Sequence, residues 1–187
     1  MPQLIDDGYP IVVRLAGRPV LVVGGGRVAL RKVQGLLAAG ATVTVVAPLV
    51  VDELAALPGV QIERRAYEPG DVAGRVLVIA ATDDPATQQQ VFDDGERLGI
   101  LVNSADDPDR CSFILPAVAR RGPVIVAVST QGRSPALAGH LRDLLAQALP
   151  EDLEALVEAA RQRRDEIHAA GGSTDRKSTR LNSSHRL

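Results

Sequence analysis

The stretch PVLVVGGGRVALRK, residues 19–32, decides the predicted fold of this chain of 187 residues. Its aliphatic start, VLVV, is typical of a buried strand. Gly24, Gly26 and Ala29 then fill a G-x-G-x-x-A frame, and the residues after the frame favour a helix. Because glycines permit a tight turn and a close approach to the backbone, the stretch predicts a strand, a turn and a helix in direct succession.

The chain that follows repeats this alternation as far as residue 105. The predicted strands are PVLVVG, ATVTVVAP, VQIERRA, RVLVIAAT and ILVNSA. Helical stretches between them read VALRKVQGLLAAG, VVDELAALPG and DPATQQQVFDDGERLG. Parallel strands joined by right-handed crossovers form a doubly wound sheet. The sequence therefore predicts an α/β fold with a Rossmann-type doubly wound parallel sheet.

The glycine turn predicts a dinucleotide site in this setting. Gly24 and Gly26 stand where the backbone of such a turn approaches a pyrophosphate at the N-terminus of a helix. A simpler interpretation is a glycine turn that only packs the strand against the helix. The order of strand, turn and helix favours the cofactor site.

The second predicted strand lacks the acidic residue that normally binds the ribose of the cofactor. Ala47, Pro48 and Leu49 occupy the expected place, and the nearest acid, Asp52, is predicted inside the next helix. Two explanations stay open: backbone groups around Pro48 and Leu49 hold the ribose, or no dinucleotide binds. Arg27 is able to tolerate a 2′-phosphate, so these residues do not separate NAD from NADP.

Polar residues follow the fourth and fifth predicted strands. Thr82, Asp83, Asn103 and Asp106 all come at carboxyl ends, where ligands of a doubly wound sheet bind. A carboxylate there can accept the proton that a substrate loses as hydride leaves. The acidic run from Asp106 to Asp109 also fits an ordinary solvated turn, but its place beside the predicted cleft favours a site.

The alternation ends after residue 111, and four segments are predicted along the whole chain. Residues 1–111 form the Rossmann domain, and residues 112–149 form a small α+β dimerisation and substrate module with two strands joined through Arg120, Arg121 and Gly122. Residues 150–172 form a C-terminal helical segment. Residues 173–187, STDRKSTRLNSSHRL, have no apolar periodicity and are interpreted as a disordered or non-native tail.

Composition excludes several classes of function. The net charge is −2, so the basic excess of a nucleic-acid-binding protein is missing. No apolar run reaches the length of about 20 residues that a membrane-spanning helix needs. Cys111 is the one cysteine, which excludes an intramolecular disulfide, and the N-terminus lacks a charged-then-apolar signal segment. These features predict a cytoplasmic protein.

Several motifs together resemble the precorrin-2 dehydrogenase module of sirohaem synthases. They read YPIVVRLAGRPVLVVGGGRVALRKVQGLLAAGATVTVVAP, VLVIAATDD, VNSADDPDRCSFILPA and VIVAVSTQGRSPALA. The resemblance covers roughly residues 9–150. It also accounts for the missing acid, since this family characteristically ends its second strand without one.

The resemblance implies NAD-dependent oxidation of precorrin-2 to sirohydrochlorin, with ferrous iron insertion as a further activity of some members. Asp106 matches the family's catalytic aspartate. Arg27, Val28, Pro48 and Leu49 match its NAD-contacting positions, and NAD is therefore the expected cofactor.

The resemblance further implies a homodimer formed through the module that begins near residue 112. The substrate carries many carboxylates, which donors and cations near a helix N-terminus bind well. Ser129, Thr130, Arg133 and Ser134 are therefore candidate substrate-binding residues. Ordinary solvated surface is the alternative for Arg133.

Two other residues, His140 and Cys111, have simpler interpretations, and two other classes of protein fit only part of the sequence. His140 has no spaced partner and is a weak metal candidate, and Cys111 fits a small buried hydrophobe better than a nucleophile. A nucleotide-sensing regulatory Rossmann domain without catalysis uses a similar turn but usually keeps the acid after the second strand. A purely structural dimerisation module would leave the polar residues at the strand ends unexplained.

Overall fold

The structure is a computed structural model that describes residues 8–105 and 107–171. These residues divide into two compact units. The first unit runs to Leu115 and also includes Gln131–Arg133. The second comprises Pro116–Thr130 and resumes at Ser134. The predicted tail, residues 173–187, lies outside the described residues.

A parallel sheet forms the centre of the first unit. Its strands are β1 (Pro19–Val23), β2 (Thr42–Val46), β3 (Val60–Glu63), β4 (Leu77–Ala80) and β5 (Leu101–Ser104). They lie in the order β3-β2-β1-β4-β5, and each neighbouring pair is parallel. The prediction of a doubly wound sheet is confirmed, since the order reverses on the two sides of β1.

Helices connect most of these strands. They are α1 (Arg27–Ala38), α2 (Asp52–Ala55) and α3 (Pro85–Leu98), with short 3-10 helices at Pro69–Val72 and Pro108–Arg110. The side chain of Asp84 accepts hydrogen bonds from the backbone N–H groups of Ala86 and Thr87 at the start of α3. Gly99 ends the same helix with φ +66°, a left-handed conformation that glycine adopts without a steric cost.

The core of the first unit lies on both faces of the sheet. Val20 and Val22 of β1 point to the face that buries Val33 of α1. Leu21 and Val23 point to the opposite face, which buries Val91 of α3. Successive side chains of a strand alternate between faces, so a strand covered on both sides must be apolar throughout. The uninterrupted run VLVV meets this requirement.

The connection between β3 and β4 is held by polar side chains. Arg65 donates hydrogen bonds of 2.8 and 2.6 Å to the two carboxylate oxygens of Asp71, and it also pairs with Glu63. The Arg65 guanidinium, with the Glu68 backbone N–H, holds the pKa of Asp71 below its ordinary value. Arg75 reaches the hydroxyl of Thr44 on β2 at 3.0 Å. These bonds fix a segment that has no long helix.

The second unit contains an antiparallel strand pair and two helices. The strands are β6 (Ala117–Arg121) and β7 (Val124–Val128), and the helices are α4 (Pro135–Gln147) and α5 (Leu153–Ala169). The sequence predicted Arg120 and Arg121 in the connection between the two strands. This prediction is wrong, because both residues lie within β6. Gly122, at φ +52°, makes the turn, because glycine tolerates this conformation where arginine would be strained.

Ser134 starts α4 as predicted. Its hydroxyl accepts a hydrogen bond of 3.3 Å from the backbone N–H of Leu137, and Pro135 occupies the first turn. A proline costs nothing at this place because the N–H that it lacks has no partner inside the helix. Within residues 8–105 and 107–171, no helix has the length and apolar character needed to cross a membrane.

Candidate functional site

The candidate site lies at the carboxyl edge of the sheet, beside the end of β1. β2 flanks β1 on one side and β4 flanks it on the other, so the chain leaves β1 at the point where the strand order reverses. Ligands of doubly wound sheets bind in the crevice that opens at this point. The predicted glycine turn, Gly24 to Gly26, therefore lies where a ligand is expected.

Gly24 makes the turn possible. Its φ is +121°, and a Cβ at this position would lie 2.2 Å from the carbonyl oxygen of Ala81, which follows β4. The Gly24 backbone N–H donates to the carbonyl oxygen of Val46 at 2.9 Å, so the turn is also tied to the end of β2. A side chain at this position would break the contact with Ala81 and strain the backbone.

Gly26 is a glycine for a different reason. It is exposed, its φ and ψ are −86° and −170°, and a Cβ there would meet no protein atom within 4 Å. It precedes α1 without a capping side chain, and the first turn of α1 contains no acidic residue. Open space beside the backbone N–H groups of a helix N-terminus suits a pyrophosphate. These residues fit the predicted cofactor.

The residues after β2 present an apolar surface to solvent. Ala47 is buried, whereas Pro48 is exposed and Leu49 is 85% exposed. Asp52, the nearest acid, is the first residue of α2, as predicted. The described residues 47–51 thus offer backbone groups and aliphatic carbon, and no carboxylate, where other dinucleotide sites hold the ribose.

The end of β4 combines an internal role with an exposed acid. The Thr82 carbonyl accepts a hydrogen bond of 2.6 Å from the Gln88 side chain, and its hydroxyl accepts one of 3.3 Å from the Asp84 backbone N–H. Hydrogen bonds from the Thr87 hydroxyl and from the helix N–H groups lower the pKa of Asp84. Asp84 therefore caps the N-terminus of α3. Asp83 is exposed, and its role in a site stays a prediction.

Asn103 at the end of β5 holds the outgoing chain against the sheet. It is buried, and its Nδ2 donates to the Phe113 carbonyl oxygen at 2.9 Å and to the Cys111 Sγ at 3.4 Å. The Ser112 hydroxyl also accepts a hydrogen bond of 2.7 Å from the Val102 backbone N–H. The amide hydrogens of Asn103 are thus engaged inside the protein, and a cofactor contact would use its carboxamide oxygen.

Cys111 has the environment of a structural thiol. Its Sγ lies 3.3 Å from the Ser104 backbone nitrogen and donates to the carbonyl oxygens of Ser104 and Asp107 at 3.3 and 3.2 Å. Burial raises the pKa of the thiol, although the Ser104 backbone N–H opposes the change. A raised pKa disfavours the thiolate that nucleophilic catalysis requires. Cys111 is half-buried and its thiol makes polar contacts, so it differs from the small buried hydrophobe that the sequence predicted, although its role is structural.

Ser104 is a polar residue that the sequence did not single out. Its side chain is 3% exposed, and its hydroxyl has no hydrogen-bond partner among the described residues. A buried hydroxyl without a partner is uncommon in native proteins. Nothing in the sequence distinguishes it from an ordinary serine at the end of a strand.

The predicted base, Asp106, lies outside the described residues. Asp107 is half-buried and forms an ion pair with Arg110. Arg110 also donates a hydrogen bond of 2.7 Å to the side-chain oxygen of Gln89. Asp109 is exposed. Part of the acidic run thus has a structural partner, and the role predicted for Asp106 stays a prediction.

The predicted substrate residues fall in both units. Arg133 belongs to the first unit, and Ser129, Thr130 and Ser134 belong to the second. The Thr130 hydroxyl accepts a hydrogen bond of 3.0 Å from the Ser134 backbone N–H. It also donates one of 3.0 Å to the Ser134 carbonyl oxygen. These bonds close the turn before α4, so Thr130 and Ser134 have structural roles whatever else they do.

No metal centre is found in the described part of the chain. Within it, no group of three or more His, Cys, Asp or Glu side chains is placed to hold a metal ion. His140, the weak metal candidate, is exposed on α4.

The strand order, the glycine turn and the open position at Gly26 define the first unit as dinucleotide-binding. A family model described as "Putative NAD(P)-binding" matches residues 11–117. A solved structure named "SirC, precorrin-2 dehydrogenase" is 31% identical, with a TM-score of 0.72, and the match covers 96% of this chain and 90% of that one. The chain belongs to the precorrin-2 dehydrogenase family of NAD(P)-binding proteins, as the resemblance of its motifs had implied.

Siroheme synthases are among the relatives. Siroheme synthase 2 of Aeromonas salmonicida (strain A449) is 45% identical over 162 residues, which cover 85% of this chain and 33% of that protein. The siroheme synthase of Methylococcus capsulatus is 43% identical over 167 residues, which cover 88% of this chain and 35% of that protein. The chain thus spans about a third of the length of these synthases.

Proposed function

We propose that this chain oxidises precorrin-2 to sirohydrochlorin with NAD, a step in siroheme formation. The observation that carries the proposal is the open position at Gly26, at the reversal point of the sheet, in a chain that covers 90% of a protein named as a precorrin-2 dehydrogenase. A dinucleotide site alone would fit many oxidoreductases. The likeness over nearly the whole of SirC supports precorrin-2 as the proposed substrate.

The residues at the edge of the sheet bind and orient the cofactor in this proposal. The backbone at Gly26, Arg27 and Val28 receives the pyrophosphate at the N-terminus of α1. Pro48 and Leu49 contact the adenosine half, since they follow the neighbouring strand. Thr82, Asp83 and the Asn103 oxygen, at the ends of β4 and β5, are left for the nicotinamide half. Bound NAD supplies the hydride acceptor.

Asp106 acts as the general base. The oxidation removes a hydride and a proton from precorrin-2, and the Asp106 carboxylate takes the proton. The macrocycle's own carboxylates are assigned to the Arg133 guanidinium and to the turn formed by Ser129, Thr130 and Ser134. Within that turn the Thr130 hydroxyl and the Ser134 backbone N–H bond each other, so they are not counted as donors to the substrate. These assignments rest on the family resemblance and on positions in the chain.

The proposal is tested with purified protein, precorrin-2 and NAD under anaerobic conditions. Wild type is expected to form sirohydrochlorin and NADH. Asp106→Asn is nearly isosteric and is expected to lose about 10²- to 10⁴-fold in rate, the usual contribution of a general base, while its affinity for NAD is kept. Asp109→Asn, an exposed acid three residues away, is the matched control and is expected to turn over normally.

Near-normal turnover by Asp106→Asn would remove Asp106 as the base. Binding of NAD by wild type without any oxidation of precorrin-2 would instead favour a nucleotide-sensing domain. Ferrous iron insertion into sirohydrochlorin is measured on the same samples, because the resemblance implies that some members of the family also carry out this reaction.

We also propose that the chain forms a homodimer through the second unit. Val118 and Ile125 on the strand pair β6–β7 are 41% and 40% exposed. Exposed leucines recur along α4 at Leu137, Leu141, Leu144 and Leu145. The strand pair packs against α4, yet these side chains stay exposed, and apolar patches of this kind are usually covered by a partner. We propose the cytoplasm as the location, because a chain with a single cysteine forms no intramolecular disulfide of the kind common in secreted proteins.

A further inference from the structure

The middle glycine of the turn, Gly25, stands at an unspecified position of the G-x-G-x-x-A frame, so the motif gives no reason for a glycine there. A Cβ at Gly25 would lie 2.0 Å from the carbonyl oxygen of Leu49 and 2.8 Å from the Cα of Val50. Both are backbone atoms, which cannot rotate away as a side chain can. Gly25 is therefore the residue that lets the loop after β2, residues 48–51, approach the turn.

A hydrogen bond holds this loop in place. The Val51 backbone N–H donates to the Gly25 carbonyl oxygen at 2.9 Å. Gly25 is buried, so water competes little for this bond. Gly24 makes the corresponding close contact with Ala81 on the β4 side. The two glycines thus join the turn to the neighbouring segments on both sides, and only Gly26 is left open.

The loop occupies the place where a dinucleotide site normally recognises ribose. An acidic side chain usually performs that task from the end of the second strand. Residues 47–51 contain no acid, and Leu49 presents an apolar side chain that is 85% exposed. Whatever this edge contributes to the adenosine half must come from the backbone and aliphatic surface of the loop, and hence from the position of the loop.

We infer that Gly25 is a positioning residue for the cofactor: it seats residues 48–51 as the wall of the adenosine subsite. The inference rests on the proposed function only in that the first unit binds a dinucleotide. It assigns a role to a residue that touches the loop and not the reacting atoms. It also explains how the site forms without a ribose-binding acid.

Two variants disturb the loop in different ways, and binding of ADP, measured by calorimetry, is the readout. In Gly25→Ala the Cβ and the Leu49 oxygen must separate by roughly 1.4 Å to reach ordinary contact, so the loop is forced away from the turn. Val51→Pro removes the N–H at a residue whose φ of −64° already suits proline. Gly35→Ala, exposed and inside α1 with no atom near its Cβ, is the control.

Both loop variants are expected to bind ADP at least about 10-fold more weakly, the equivalent of about one lost hydrogen bond, and Gly35→Ala within about twofold of wild type. In turnover, their KM for NAD is expected to rise while kcat changes little, which general destabilisation would not produce. Wild-type affinity for ADP in a folded loop variant would overturn the inference. If Gly25→Ala does not fold, Val51→Pro decides the question.

Hydrogen exchange on wild type gives a test without any variant. Exchange of the backbone N–H groups of Leu49, Val50 and Val51 is expected to slow when ADP binds, and unchanged exchange would overturn the inference. The proposed function fails separately, when NAD binds and precorrin-2 is not oxidised. Normal oxidation of precorrin-2 together with normal ADP binding by the loop variants would defeat only the role of Gly25.

Discussion

The substitution Gly26→Val is expected to abolish binding of NAD while it leaves the fold in place. A Cβ at Gly26 meets no atom within 4 Å, and its φ and ψ of −86° and −170° are extended backbone open to valine. The cost in folding free energy is therefore confined to the change of an N-cap residue, about 1 kcal/mol or less.

The loss of binding is much larger. The valine side chain would fill the space in which a pyrophosphate meets the N–H groups at the start of α1. Hydrogen bonds to a charged group contribute about 1.5–3 kcal/mol each, so loss of two of them weakens binding by at least about 100-fold. Calorimetric titration with NAD and chemical denaturation of the same samples measure the two effects.

Gly24→Ala is the matched control, because it should show the opposite behaviour. Its Cβ would lie 2.2 Å from the Ala81 oxygen at a φ of +121°, so the expected loss is in stability, by several kcal/mol. Binding of NAD by Gly26→Val with the affinity of wild type would refute the reasoning, since the open space would then not be the cofactor site.

Three further outcomes are expected. Asn103→Leu should lower the free energy of unfolding by about 1–3 kcal/mol in denaturant titration, because the Phe113 carbonyl loses the hydrogen bond from the buried Asn103 amide; an unchanged value would contradict this role. Asp71→Asn should lose less stability on acidification than wild type. The lowered pKa of Asp71 makes its ion pair with Arg65 contribute fully above the ordinary pKa of about 4, and the contribution is lost progressively as pH falls from there through the lowered pKa; equal acid sensitivity of the two proteins would count against it. Leu144→Glu should shift the protein from dimer to monomer in light scattering, and an unchanged mass would contradict the proposed interface.

The sequence predicted the sheet because the relevant signals are local. Each strand is a short apolar run, and the frame of Gly24, Gly26 and Ala29 marks the turn between β1 and α1. The start of α4 was likewise predicted from Ser134 and Pro135, two adjacent residues with known helix-start preferences. Such features need no knowledge of distant contacts.

The separate roles of the glycines could not be read from the sequence. Gly24 is required by Ala81, far along the chain, and Gly25 by Leu49 in the loop after β2. The engagement of Asn103 by residues 111–113 also depends on a return of the chain that periodicity does not reveal. The connection after β6 was misplaced by two residues because Arg120 and Arg121 look like loop residues, although exposed arginines are common in an edge strand.

The most direct test of the central claim is a product measurement on wild type. Precorrin-2 and NAD are mixed with the protein without oxygen, and sirohydrochlorin and NADH are quantified together. If the protein is a precorrin-2 dehydrogenase, it should form sirohydrochlorin and NADH in equal amounts, at a rate that depends on protein concentration. NAD binding with neither product formed would contradict the claim.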